Sequence, residues 1–242
     1  RNKGYIPILK HKIVQKENIC YLPISHTAAS MLLAIRPVQY FINRLGVFDQ
    51  GVNPEPKGSD ILRIVSCSNL IPLKRVHLII EALSKMKIPV EWIHFGDGPL
   101  SAEIAKLTET LDKTIFAQMM GRVRNEIILK YYATHPIDLF INVSEVEGVP
   151  VSVMEAFSFG IPCFATNVGG TGEIVNETNG YLAKKDFCTS ELCNFILNIR
   201  ALSNAKQLRT NARKTWQDLC NARHNYQELT EILDDRKTPL GI

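Results

Sequence analysis

From Ile61 onward the chain repeats one pattern, and that pattern limits the folds open to it. A short, continuously apolar run is followed by apolar residues at helical intervals, and the next run begins about 20–25 residues on. The runs are ILRIVSC (61–67), VEWIHF (90–95), TIFAQM (114–119), IDLFIN (137–142), PCFAT (162–166) and GYLA (180–183). Helical patterns lie between them in VHLIIEALSKM, PLSAEIAKLTETL, NEIILKYYATH and VPVSVMEAFSFG. Strands that are apolar without alternation belong to a parallel sheet buried on both faces. The expected fold is therefore α/β, a doubly wound parallel sheet, whose ligand lies beyond the carboxyl ends of the strands.

The flanking segments suggest four parts. Residues 1–45 contain ICYLPISHTAASMLLAI and VQYFINRLG, which read as one strand–helix–strand piece with Ser25 as its helix cap. That piece is too short to be a domain and is expected to be the tail of one. Residues 46–60, rich in Gly, Pro and acidic side chains, read as a linker. Residues 61–200 form the complete α/β unit, and residues 201–242 are expected to be polar helices.

Composition narrows the function. With 45% hydrophobic and 21% charged residues this is an ordinary globular composition, and the net charge of +4 is too small to argue for nucleic acid. It suits an anionic small ligand and also permits peripheral attraction to an acidic membrane. The six cysteines are scattered, and Cys188 and Cys193 lack zinc spacing, so free thiols buried in a reducing cytosol are expected. No run approaches the roughly 20 apolar residues of a membrane span, and no signal peptide is visible. The sequence opens at Arg1 rather than Met, which suggests a fragment. His26, His77, His94 and His135 have no metal-ligand or base spacing and read as structural, and no Asp-x-Asp metal signature is present, so no metal is expected.

Candidate chemistry gathers where strands end. In SCSNLIPLKRVH, Lys74 and Arg75 stand at a helix start, where the dipole disfavours cations unless an anion docks there. The alternative is a pair of solvated surface cations. Gly96 and Gly98 of HFGDGPL allow close backbone approach to a ligand, or simply a tight turn. Gly121 in MGRVRNE marks a turn, with Asn125 available as a cap. Gly169, Gly170 and Gly172 of NVGGTGEIV open a short helix or a plain turn.

The stretch SEVEGVPVSVMEAFSFGIP (144–162) carries Glu147 and Glu155 with seven residues between them. Ser144-x-x-Glu147 matches a capping box, but a helix capped there would hold Gly148 and Pro150 in its interior. Those residues would cost about 1 and about 3 kcal/mol respectively. Placing Pro150 at the first helical position leaves Glu147 in the loop and Glu155 in the second turn. Carboxylates accept hydrogen bonds from paired hydroxyls and repel phosphates. A ligand with a diol at each end and an anionic middle is a nucleotide-sugar.

The order SNLIPLKRV, FGDGPL, GRV, SEVEGVPVSVMEAFSFGIP, ATNVGGTGEIV, NGYLA resembles the retaining glycosyltransferases of family 4, also called glycosyl transferases group 1. The resemblance covers roughly residues 61 to 185. It implies the C-terminal, donor-binding half of a GT-B enzyme, in which two Rossmann-like domains face each other across a cleft. It implies that Glu147 contacts the donor sugar, helped by backbone N–H groups of the loop Gly148, Val149, Pro150 and Val151 (Pro150 itself has none). Glu155 would hold the ribose. Lys74 would neutralise the diphosphate and, with Glu147, make up the catalytic pair. Arg122 and Val123 would meet the base, and Gly96 and Gly98 would line the cleft.

One position departs from the pattern. The family usually carries Gly-Arg where this chain has Ser68 and Asn69, and Gly where it has Arg75. Asn69 is expected at the diphosphate in place of the usual Arg, and Arg75 is expected to restore its charge. The resemblance further makes residues 1–45 the tail of the acceptor domain and folds the C-terminal helices back toward it.

The implied function is transfer of a sugar from a nucleotide-diphosphate donor, with retention of configuration, to a saccharide or lipid-linked saccharide acceptor. The implied setting is polysaccharide synthesis in the cytoplasm or at the inner face of the membrane. On this reading the chain is a fragment that binds donor without transferring it. The competing readings are a nucleotide-sugar-binding pseudo-enzyme and a nucleotide-sugar 2-epimerase.

Overall fold

The computed structural model describes residues 19–56, 60–202 and 204–234. The first 18 residues of the expected tail, 57–59 of the expected linker and the last eight residues lie outside the described residues. The chain begins with β1 (Cys20–Tyr21), α1 (His26–Leu33) and β2 (Gln39–Tyr40), with β1 and β2 paired in parallel. Ser25 caps α1, its Oγ accepting from the N–H of Ala28 at 3.0 Å. The large unit follows with β3 (Leu62–Cys67), α2 (His77–Leu83), β4 (Val90–Phe95), α3 (Ser101–Thr108), β5 (Ile115–Met119) and α4 (Asn125–Thr134). It continues with β6 (Leu139–Asn142), α5 (Val151–Ser158), β7 (Cys163–Thr166), β8 (Gly180–Ala183) and α6 (Thr189–Asn198). It closes with α7 (Ala205–Thr215), a π-helical turn (Trp216–Cys220) and α8 (Ala222–Leu233).

All six expected strands form within two residues of their expected bounds. They make one parallel sheet in the order β5-β4-β3-β6-β7-β8. This is the doubly wound, Rossmann-like order, and it reverses direction between β3 and β6. The apolar runs are continuous because successive side chains enter opposite cores. Ile64, Trp92, Leu139, Ile141 and Phe164 pack beneath α2, α3 and α6. Val65, Ile93, Phe140, Cys163 and Ala165 pack beneath α4, α5 and the Trp216 turn. Phe157, wholly buried, is one residue whose truncation to Ala would cost about 3–5 kcal/mol.

The segment expected as a linker is fastened at two points. Val47 bridges Asn221 and accepts a hydrogen bond from Trp216 Nε1 at 3.0 Å. Asn53, 3% exposed, donates to the carbonyls of Tyr132 and His135 and accepts from the N–H of Ile137. Its Gly and Pro residues suggest freedom, but these side chains tie it to the sheet's lower end. Helix α8 packs against residues 45–48, where the expected tail meets this segment: Asn225 Nδ2 donates to Leu45 O, and Tyr226 meets Phe48 edge to face.

The cysteines are all free, but not all buried. Cys163, Cys193 and Cys220 are buried, Cys67 is half-buried, and Cys20 and Cys188 are exposed. Among the described residues no helix is long and apolar enough to cross a membrane. Nor do the described residues hold a cluster of three His, Cys, Asp or Glu able to bind a metal ion.

Candidate functional site

The carboxyl ends of β3, β4, β5 and β6 open on one cavity of about 350 Å³. After β3 it is lined by Cys67, Ser68, Asn69 and Lys74; after β4 by Gly96 and Asp97; after β5 by Arg122 and Val123; after β6 by Glu147, Pro150, Val151 and Ser152. It therefore lies at the switch point of the sheet, where such folds bind ligands.

Lys74 ends a short 3₁₀ turn that Pro72 initiates. Its ammonium donates to Glu147 Oε1 at 2.5 Å, and Asn142, at the end of β6, donates to the same oxygen at 3.3 Å. The two charged side chains are 22% and 12% exposed, so the pair is shielded yet still reaches the cavity. The loop after Glu147 leads into α5, whose cap is Pro150 rather than a hydrogen-bonding side chain. Pro150 thus precedes the helix by one residue instead of opening it. The positive end of the helix dipole, without an acidic residue in its first turn, faces the cavity through Val151 and Ser152.

Glu155 rises from the second turn of α5 and accepts from Asn125 Nδ2 at 2.8 Å. Burial pushes its pKa up and the Asn125 hydrogen bond only partly offsets this. Asn125 is accordingly not a cap: Arg124 holds that position, and the Asn125 amide is turned to the carboxylate. Glu155, expected at the site, does not line the cavity; Cys67 does, and burial, reinforced by the Glu155 charge, raises its thiol to about 12. It is an inert part of the wall.

Arg75 stands elsewhere than expected. It is in left-handed backbone conformation, with φ of 48°, and its guanidinium donates to the carbonyls of Val143 (2.8 Å), Ser144 (3.3 Å) and Lys185 (2.9 Å). The side chain fastens the turn after β3 to the loop after β6 and does not line the cavity. Lys74 is the cation presented to the cleft from this turn.

Gly96 and Gly98 serve backbone packing more than ligand approach. A Cβ at Gly96 would lie 1.8 Å from the Ser68 carbonyl oxygen, and one at Gly98 would lie 2.4 Å from that of Leu70. Of the two, Gly96 alone reaches the cavity. Gly148 and Val149 sit behind it, against Ile24 and Gly170. The wall near Ser68 is held from inside the sheet. Trp92 Nε1 donates to Ser66 Oγ at 2.9 Å, and Ser66 lies 2.8 Å from His94 Nδ1. His94 Nε2 lies 3.1 Å from the Ser68 carbonyl. A carbonyl only accepts, so His94 carries its proton on Nε2 and accepts a hydrogen bond from the Ser66 hydroxyl at Nδ1. Burial lowers its pKa to about 4, so it is neutral at physiological pH. Of the residues expected from the sequence, Lys74 and Glu147 line the cavity and Glu155 does not; Asn142, Asp97 and Ser152, small polar residues at strand ends and loop starts, carry no distinctive spacing and were not expected.

A Rossmann-like sheet with a cation, a shielded carboxylate and a helix N-terminus at its switch point defines a domain suited to a nucleotide-type ligand. The chain belongs to the Glycosyl transferases group 1 family, whose pattern matches residues 50–215. It is 26% identical over 186 residues to a component of the phosphatidylinositol N-acetylglucosaminyltransferase of Arabidopsis thaliana, covering 74% of this chain and 39% of that protein. It is 28% identical over 127 residues to N-acetyl-alpha-D-glucosaminyl L-malate synthase of Bacillus anthracis, covering 50% and 32% respectively. This chain thus spans less than half the length of either relative. Among solved structures, Anabaena HepE in complex with UDP-glucose matches with a TM-score of 0.71 at 19% identity, covering 88% of this chain and 63% of that one. Sucrose-phosphate synthase of Thermosynechococcus elongatus matches with a TM-score of 0.77 at 20% identity, covering 90% and 59%. These two likenesses establish the shared GT-B type of fold.

Proposed function

We propose that the cavity binds a nucleotide-diphosphate sugar and that the whole protein transfers the sugar, with retention of configuration, to a saccharide or lipid-linked saccharide. The observation that carries this reading is the Lys74–Glu147 pair, set at the switch point beside the N-terminus of α5. Lys74 and the helix N-terminus take the diphosphate, whose charge grows as the glycosidic bond breaks. Glu147, released from Lys74 by the phosphates, accepts hydrogen bonds from sugar hydroxyls. Glu155 accepts from the ribose, and the segment at Arg122 and Val123 meets the base. In this scheme the leaving diphosphate assists the acceptor from the same face, so the chain supplies neither a covalent nucleophile nor a metal or other cofactor. UDP is the first nucleotide to try, since HepE binds UDP-glucose and the two curated relatives are named for N-acetylglucosamine chemistry. The acceptor, in polysaccharide or glycoconjugate synthesis, would be met in the cytoplasm or at the inner face of the membrane.

Calorimetry with UDP, UDP-N-acetylglucosamine, UDP-glucose, GDP-mannose and ADP-glucose tests the reading. Binding of at least one nucleotide-sugar, weakened in both Lys74→Ala and Glu147→Ala, is expected. Unchanged affinity in both variants overturns the site.

A further inference from the structure

Glu173 ends the 3₁₀ turn Thr171–Glu173 in the Gly-rich loop after β7, and its partners lie 146 and 147 residues earlier in the chain. One carboxylate oxygen accepts from the backbone N–H of His26 at 3.0 Å. The other accepts from the N–H of Thr27 at 2.8 Å and from the Thr27 hydroxyl at 2.9 Å. The first N–H groups of a helix have no partner within it, and a carboxylate there also meets the positive end of its dipole. With Ser25 capping Ala28, the start of α1 is secured by one side chain of its own and one from the large unit. Burial alone would raise the Glu173 pKa; the hydrogen bonds from Thr27 and His26 outweigh it and hold the carboxyl below its usual range.

The same turn presses on the loop that carries Glu147. Gly170 donates its N–H to Gly148 O at 2.5 Å. A Cβ on Gly169 would lie 1.9 Å from Glu147 O; one on Gly170 would lie 2.7 Å from Val149 Cγ2 and 3.1 Å from Ser25 Cβ. The Gly169–Gly170 backbone is therefore sandwiched between the start of α1 and residues 147–149. The hollow at this junction, lined by Ile24, Val149 and Glu173 among others, holds about 10 Å³, roughly one water. Nothing in such packing can shift alone.

We infer that Glu173 is a positioning residue: by clamping the N-terminus of α1, it makes the β1–α1–β2 element the rear support of the Glu147 loop and so sets how the cavity grips the sugar. The inference rests on the reading of Glu147 as the sugar-contacting residue. The far side of the cavity from this clamp, at Arg122 and Val123, is where the nucleotide is assigned. Glu173 therefore discriminates between the two ends of the ligand, which a residue that merely held the fold would not do.

The test compares Glu173→Gln and Thr27→Val with the parent chain, using Arg200→Ala as a stability control that breaks the distant Arg200–Asp138 pair. Hydrogen exchange without ligand is expected to quicken at the amides of Gly148, Val149 and Val151 in both clamp variants and to stay unchanged there in the control. Calorimetry is expected to show about tenfold weaker binding of the nucleotide-sugar in Glu173→Gln, with free nucleoside diphosphate unaffected. Unchanged exchange in the 148–151 segment overturns the clamp, as does equal weakening of sugar-bearing and sugar-free ligands. If the parent chain binds no nucleotide-sugar, the proposed function fails, and exchange alone still decides the clamp.

Discussion

Lys74 Nζ and Glu147 Oε1 lie 2.5 Å apart, joining the turn after β3 to the loop after β6 across the point where the strand order reverses. Without ligand each charge neutralises the other in a shielded setting, so removing either leaves a partly desolvated charge unpaired. Lys74→Ala and Glu147→Ala are each expected to destabilise the fold by about 1–2 kcal/mol. The double variant is expected to lose less than their sum. Urea unfolding of all four proteins measures this, and strictly additive losses would show that the pair is uncoupled.

Glu155 is a carboxylate whose burial makes stability depend on pH. Its carboxyl is raised above the ordinary glutamate range by burial, so the folded state is stabilised by the protonated form. That contribution is full below the ordinary glutamate pKa and is lost as pH rises through the raised value. Glu155→Gln is expected to raise the unfolding midpoint near pH 7 and to leave it unchanged near pH 4. It is also expected to weaken free nucleotide and nucleotide-sugar alike, because the ribose is common to both. Weakening of the nucleotide-sugar alone would exchange the roles of the two glutamates.

The sheet was legible because burial on both faces leaves unbroken apolar runs in its inner strands, β6 and β7 being buried throughout, while edge strand β5 keeps Phe116 exposed. The site was legible where backbone constraints spoke: Gly148 and Pro150 exclude a helix from Ser144, which freed Glu147 for the cleft. It was not legible where tertiary geometry chose between neighbours. Lys74 and Arg75 are adjacent cations, and only the left-handed backbone at Arg75 turns one guanidinium onto Val143, Ser144 and Lys185 while the other charge faces Glu147. Glu173 gave no signal at all, because its partners lie at the far end of the chain.

His94 supplies a second pH dependence of opposite sign. Its pKa falls from 6.5 to about 4 on folding because the imidazolium is desolvated. A base with a depressed folded pKa contributes stability that is full above its unfolded value and is lost as pH drops toward the folded one. The chain is therefore expected to lose up to about 3 kcal/mol between pH 6.5 and pH 4 from this residue. Urea midpoints across that window measure the loss, and His94→Gln is expected to flatten the slope. An unaltered slope in the variant would assign the dependence to other groups.

Gly169 and Gly180 separate a fold effect from a site effect. Gly169 has a φ of +55°, and an added Cβ would lie 1.9 Å from Glu147 O; at Gly180 it would lie 2.0 Å from Cys163 O, between β7 and β8. Both clashes are with backbone, which cannot swing aside, so Ala at either position is expected to destabilise by about 3 kcal/mol or more. The consequences for binding differ. Gly169→Ala displaces the loop that carries Glu147, whereas Gly180→Ala disturbs a sheet edge three strands from β3. At a temperature where both variants remain folded, by circular dichroism, Gly169→Ala is expected to weaken nucleotide-sugar binding at least tenfold more than Gly180→Ala. Equal affinities in the two variants would mean that the Gly169 contact carries stability alone and does not set the position of Glu147.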